Sequence, residues 1–201
     1  MKQWSIDRVC DEHGYDDVSS MGIEPHLYFI NWLTEHYNEK EVSIIDVGCG
    51  SGRLLKFLPN NVKEYIGADI NQRCVDVAKE YFKENEKAKF CFFDIEEDDI
   101  KEIIEDKVNI IYMDSTFTML ENPKECLKKL FEFCYVIYLG RTPHNQKETK
   151  LEFSQWTGMD KLSENWHFSR KDLKSILPKG WSLTSIIDGK FEHAILSGDK
   201  I

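Results

Sequence analysis

Short runs rich in β-branched and aromatic residues recur along the chain at residues 42–47, 64–69, 89–94, 108–113 and 133–139. Each is separated from the next by enough chain for a helix, and that alternation predicts βα units around a mostly parallel sheet. The intervening stretches carry helical periodicity. Cys74, Ala78, Tyr81 and Phe82 form an apolar stripe behind Asn71, a good N-cap residue. Asn122 stands before Pro123 and Glu125, with Leu127, Leu130, Phe131 and Cys134 as the face to bury. Ser169 opens a further helix carrying Leu173, Ile176 and Leu177, which Pro178 and Gly180 stop. Ahead of the first strand, a helix over about residues 24–38 is expected to turn Ile23, Leu27, Ile30 and Tyr37 toward the core.

The end of the chain adds a topological signal. Residues 181–187 and 191–196 are strand-like and flank Asp188-Gly189, a dipeptide suited to a tight hairpin because both residues tolerate positive φ. The last two strands are therefore expected to be antiparallel neighbours, unlike the sixth strand of a dinucleotide-binding dehydrogenase domain.

Length and charge narrow the picture. With 201 residues and no repeat or low-complexity tract, the chain fits a single folded unit. Its formal net charge of −10 argues against a polyanionic partner, so nucleic acid is disfavoured as substrate. No apolar run approaches a signal peptide or a membrane span, which predicts a soluble, cytoplasmic protein without a membrane partner. The cysteines Cys10, Cys49, Cys74, Cys91, Cys126 and Cys134 are scattered, with no CxxC pair, and read as buried thiols, with no metal site expected.

The segment with most chemical content is Ile44-Ile45-Asp46-Val47-Gly48-Cys49-Gly50-Ser51-Gly52-Arg53, a buried strand leading into a glycine turn and then a helical start. Glycines there let backbone approach a ligand closely, and free N–H groups favour a carboxylate-bearing or otherwise anionic one. A nucleotide-like cofactor is the natural reading. The dinucleotide fingerprint would need glycine where Arg53 stands, which counts against a nicotinamide oxidoreductase.

Asp46-x-Gly48-x-Gly50-x-Gly52 resembles the first motif of class I S-adenosylmethionine-dependent methyltransferases. The resemblance continues over about residues 40–201. Tyr65 to Asn71 is similar to the family's second strand, so Asp69 would bind the ribose hydroxyls, with Ile70 beside it. Phe90 to Ile95 resembles the third, with Asp94 and Ile95 near the adenine. The segment through Asp114, Ser115 and Thr116 is similar to the fourth strand and its exit between cofactor and acceptor. The resemblance implies a Rossmann-like three-layer α/β sandwich with a mostly parallel seven-stranded sheet and an antiparallel last strand. It assigns residues 41–201 to that domain and leaves 1–40 as a helical N-terminal cap. The cofactor would be S-adenosylmethionine, leaving as S-adenosylhomocysteine, held by Asp46, Gly48, Cys49, Gly50, Asp69, Ile70, Asp94, Ile95 and Asp114. Any one of these aspartates could simply end a strand or cap a helix. Three in register behind one glycine turn are harder to explain that way. Cys49 reads better as a small packed residue than as a nucleophile, because no basic partner is near it in sequence.

Acceptor residues are expected from the loops beyond the carboxyl ends of the strands. The longest loop, 140–168, holds Arg141, His144, Asn145, Trp156, Trp166 and His167. It reads equally as a lid or added helix and as an excursion packed on its own tryptophans. His144 and His167 are the candidate general bases, with His26 and Asp114 behind them. The reading is methyl transfer to oxygen or nitrogen of a small molecule; a protein or RNA acceptor, or a cofactor-binding subunit without catalysis, are the alternatives.

Overall fold

The computed structural model describes residues 18, 23–155, 162–187 and 191–198. Seven strands form one sheet: β1 (Val42–Val47), β2 (Val62–Asp69), β3 (Ala88–Phe92), β4 (Val108–Asp114), β5 (Cys134–Gly140), β8 (Trp181–Ile187) and β9 (Glu192–Gly198). Their spatial order is β3-β2-β1-β4-β5-β9-β8. All neighbours are parallel except β9, which runs antiparallel to both β5 and β8. The α/β class, the mostly parallel seven-stranded sheet and the antiparallel last strand are thus as the sequence predicts. The Asp188-Gly189 signal itself lies outside the described residues.

The central strands are apolar on both faces because helices cover both. On one face Ile45, Val47, Ile111, Met113, Ile137 and Leu139 pack with Cys126, Leu127 and Leu130 of helix α3 (Pro123–Leu130) and Leu173 of helix α4 (Arg170–Ser175). On the other, Ile44, Tyr65, Ile110, Tyr112 and Tyr138 pack with helix α1 (Leu27–Tyr37) and with Val75 and Ala78 of helix α2 (Gln72–Tyr81). The side chain of Asn71 caps α2 by accepting from the N–H groups of Arg73 and Cys74, and Ser169 caps α4 by accepting from Asp172. Asn122 precedes α3 without a side-chain cap. Instead the Glu96 carboxylate accepts the N–H groups of Glu121 and Asn122, at 2.9 and 2.7 Å.

The structure corrects four expectations. α1 buries Phe29, Trp32, Leu33 and Tyr37, while Leu27 is exposed, so its apolar stripe is rotated from the expected one. Its aromatic members choose the face: Phe29 lies tilted 4.3 Å from Tyr112 and edge-on 4.9 Å from Tyr138, ring centre to ring centre. After the glycine turn the chain makes a five-residue 3-10 turn, Arg53–Phe57, and not an α-helix. The long loop after β5 contains an antiparallel hairpin, β6 (Lys150–Gln155) with β7 (Leu162–His167), so it is neither structureless nor helical there. Cys74 is disulfide-bonded, whereas Cys49, Cys126 and Cys134 are the buried free thiols expected and Cys91 is a free thiol only partly buried. Among the described residues, no helix is long and apolar enough to cross a membrane.

Candidate functional site

From β1 the chain builds the sheet outward in one direction through β2 and β3, and from β4 in the other. The crevice above the carboxyl ends of β1 and β4 is the place where such sheets bind ligands. Two sets of polar groups meet there.

The first set belongs to the turn leaving β1. Gly48, Gly50 and Gly52 all have left-handed backbone, with φ of 77°, 54° and 81°. At Gly48 a side chain is excluded on two counts, because a Cβ would also overlap the hydroxyl of Thr116 in the loop leaving β4. The turn is tied to β2: Gly48 and Cys49 donate their N–H groups to the Ala68 carbonyl. Gly50 donates to Asp69 Oδ2 at 2.7 Å, and Asp69 Oδ1 accepts from Asn71 N–H at 2.8 Å. Burial raises the Asp69 carboxyl above its ordinary pKa, while these two N–H groups pull it back. Below the turn, Asp46 is 3% exposed and accepts from the Tyr65 hydroxyl at 2.6 Å. Its burial pushes the carboxyl up to about 7 against the opposing pull of that hydrogen bond. Asp46 therefore braces the turn from beneath. Cys49 is buried, its thiol 3.3 Å from the Gly50 carbonyl, and burial raises it well above the ordinary range. That is the chemistry of a packing residue.

The remaining residues expected at this edge divide. Ile70 is 39% exposed at the end of β2, which leaves it available to a flat apolar ligand. Asp94 follows β3 and uses Oδ1 to accept from Glu96 N–H at 3.0 Å, closing the turn that leads away. Ile95 is buried in the core beneath, with Cys126 and Leu127 in the same cluster, so its side chain is spent on packing.

The second set stands at the ends of β4 and β5. Asp114 pairs with Gly140 across the ladder, and a Cβ at Gly140 would come within 2.6 Å of Asp114 Oδ1. The missing side chain is what lets the carboxylate lie over β5. There Arg141, itself at φ 46°, grips it with Nε at 2.8 Å and Nη2 at 2.5 Å. A two-pronged pair of this kind is the strong form of the interaction. His26 joins from the N-cap of α1: its Nδ1 lies 2.9 Å from the Tyr112 hydroxyl and 3.8 Å from Asp114 Oδ2. Burial lowers the His26 pKa to about 4, with Asp114 opposing and Arg53 and Arg141 assisting the drop. Ser115, next along, has φ 66° and a buried hydroxyl without a hydrogen-bond partner among the described residues.

The two histidines favoured from sequence do not join this group. His144 has 0% exposure, with Nδ1 2.8 Å from the Thr142 carbonyl and Nε2 2.7 Å from the Ser185 hydroxyl. Both ring nitrogens are engaged in fastening the chain after β5 to β8. His167, on β7, has Nδ1 3.8 Å from Glu152 on the facing strand. Neither ring is hydrogen-bonded or ion-paired to Asp114, Arg141 or His26 among the described residues. The β6–β7 hairpin nevertheless flanks the β4 exit: Thr118 lies 3.3 Å from Asn165 Oδ1, and Trp166 Nε1 donates to the Leu120 carbonyl at 2.9 Å. Trp156 lies outside the described residues. The Arg141–Asp114 pair was missed from sequence, although the aligned ends of β4 and β5 would have brought residues 114 and 141 together.

A carboxylate and bare glycine backbone at the ends of β1 and β2, with a histidine–carboxylate–guanidinium group at the ends of β4 and β5, suit a nucleoside-bearing donor and a separate acceptor. Comparison with known proteins agrees. A family model described as a methyltransferase domain matches residues 38–178. The chain is 24% identical over 164 residues to malonyl-acyl-carrier-protein O-methyltransferase 1 of Ilyobacter polytropus, covering 80% of this chain and 58% of that protein. It is 26% identical over 155 residues to ribosomal RNA small subunit methyltransferase A of Streptococcus thermophilus, covering 75% and 48%. The chain thus spans about half the length of these relatives. In fold it is similar to magnesium protoporphyrin IX methyltransferase of Synechocystis solved with bound S-adenosylhomocysteine, with TM-score 0.59, 16% identity and coverage of 96% and 84%.

Proposed function

The chain belongs to the class I S-adenosylmethionine-dependent methyltransferase family, and from that premise we propose that it transfers a methyl group to oxygen or nitrogen of a small soluble molecule. The observation that carries the donor half is the Asp69 carboxylate held 2.7 Å from Gly50 N–H, beside three left-handed glycines. A carboxylate accepts from two vicinal hydroxyls at once, and the glycine backbone leaves room for the rest of the donor. Bound there, the sulfonium supplies an electrophilic methyl group; the chain's own task is to orient the acceptor and exclude water. Ile70 offers an apolar surface to the base, and Asp46 and Tyr65 hold the turn in place from below. Helix α1 covers the acceptor side in this reading, with His26 at its N-cap.

The small acceptor is supported by charge. At the crevice, Arg141 is neutralised by Asp114, and the chain as a whole carries −10. Such a field does not gather a polyanion. An RNA acceptor is the second reading, favoured by the likeness to the ribosomal RNA enzyme. Release of S-adenosylhomocysteine separates the two when the protein is offered small hydroxyl and amine acceptors or bulk RNA at low and physiological salt. Product from small acceptors, insensitive to salt, supports the proposal. Product from RNA that fades as salt rises supports the second reading instead.

A further inference from the structure

Building on the methyl-transfer reading, we propose that His26 is the general base of the reaction and that the accepting group is a hydroxyl. The proposal rests on how the ring is held. Its Nδ1 faces the Tyr112 hydroxyl at 2.9 Å and the Asp114 carboxylate at 3.8 Å. With the proton on the nitrogen turned toward the Asp114 carboxylate, as the proposal requires, Nδ1–H donates to Tyr112 and the lone pair resides on Nε2. That Nε2 is buried and has no hydrogen-bond partner among the described residues. Buried polar atoms are almost always paired, so an orphan Nε2 on a ring beside Asp114 calls for a partner, and in this proposal the acceptor hydroxyl supplies it.

A second orphan adjoins the first group. The Ser115 hydroxyl is buried and unpartnered among the described residues, on a residue with left-handed backbone immediately after Asp114. Backbone of that kind at a non-glycine residue clusters where function demands it. His144 shows the contrast, since both its nitrogens are matched within the protein.

The groups facing His26 decide which acceptor it serves. Asp114 favours the imidazolium, while Arg53 and Arg141 oppose it and burial keeps the resting ring neutral. The two prongs of Arg141 fix the Asp114 carboxylate in place, where it faces a ring that gains charge. A carboxylate or a free amine attacks without losing a proton first and needs no such arrangement. A hydroxyl does. As its oxygen forms the new bond to the methyl carbon, the S–CH3 bond breaks with its electron pair left on sulfur, and the hydroxyl proton passes to Nε2. The imidazolium is then balanced by Asp114 until the proton leaves to solvent.

Histidine-selective 15N labelling of the full chain with S-adenosylhomocysteine bound reads the tautomer directly, the His26 signals being assigned by their loss in His26→Asn. The expected spectrum has Nδ1 protonated and Nε2 bare from about pH 5 to 8. A protonated Nε2 over that range overturns the proposal. In turnover, phenols and sugar alcohols are compared with amines and carboxylates. His26→Asn is expected to lower kcat on a hydroxyl acceptor by about 100-fold or more, with KM and affinity for S-adenosylhomocysteine unchanged. Turnover confined to amines or carboxylates, or an undiminished kcat in the variant, overturns it. Failure of the wild-type protein to bind S-adenosylhomocysteine at all falls instead on the methyl-transfer reading.

Discussion

Arg141 holds Asp114 by two parallel N–H···O bonds, at 2.8 and 2.5 Å, across the ends of adjacent strands β5 and β4. The side chains are 18% and 7% exposed, so neither charge is well solvated alone. Removing one partner leaves the other uncompensated, a loss of about 3–5 kcal/mol. Arg141→Met and Asp114→Asn are each expected to lower the urea midpoint strongly. The double variant should lose less than the sum of the two, and the double-mutant cycle measures that coupling.

Gly48 is constrained by backbone and by neighbour. Alanine there has to adopt φ near 77° and displace the Thr116 hydroxyl. The backbone cost alone is about 1–2 kcal/mol. Gly48→Ala is therefore expected to lower stability by more than that amount. Adding Thr116→Gly should recover the steric part and leave the backbone part, as read from unfolding curves of both variants and of Thr116→Gly alone.

Two buried groups give stability opposite slopes with pH. His26 has its pKa lowered to about 4 from 6.5, so the unfolded chain binds more protons between those values and stability falls as pH drops through them. Asp46 has its pKa raised to about 7 from 3.8, so the folded chain keeps more protons and stability falls as pH rises from 3.8 toward 7. Each effect is on the order of 3–4 kcal/mol, and they offset each other through the shared range. Relative to wild type, His26→Asn should lose stability as pH rises from about 4 to 6.5, and Asp46→Asn should gain it. Urea midpoints at the two ends of that window check both signs.

His144 acts as a fastener in this structure. Besides its ring bonds to Thr142 and Ser185, its backbone N–H donates to Glu192 Oε2 at 2.6 Å. His144→Ala is expected to cost about 1–3 kcal/mol by leaving buried groups unmatched. Affinity for S-adenosylhomocysteine should be unchanged, which calorimetry on the folded variant reads.

β1 was legible because a central parallel strand is a continuous apolar run, and it matches its expected limits, Val42–Val47; the antiparallel edge strand β8 matches its own, Trp181–Ile187. Asn71 and Ser169 were legible as caps because capping depends on local chemistry. That the glycine turn and Asp69 meet was readable because they end neighbouring strands β1 and β2. The contact of His26 with Asp114 was not. His26 reaches Asp114 across 88 positions of sequence because Phe29 and Trp32 dock α1 on Tyr112 and Tyr138, and no local spacing encodes that contact. His144 looked free for chemistry because its partner, Ser185, lies 41 residues away on another strand. The β6–β7 hairpin escaped notice because its pairing offsets residues such as Leu151 and Trp166 within a mixed, polar stretch.

The central claim is best tested by calorimetric titration with S-adenosylhomocysteine, using wild type, Asp69→Ala and NAD as control ligand. Micromolar binding to wild type, weakened at least about tenfold in Asp69→Ala and absent with NAD, is the predicted result. Absence of S-adenosylhomocysteine binding to the folded wild-type protein, or tighter binding of NAD, would contradict it.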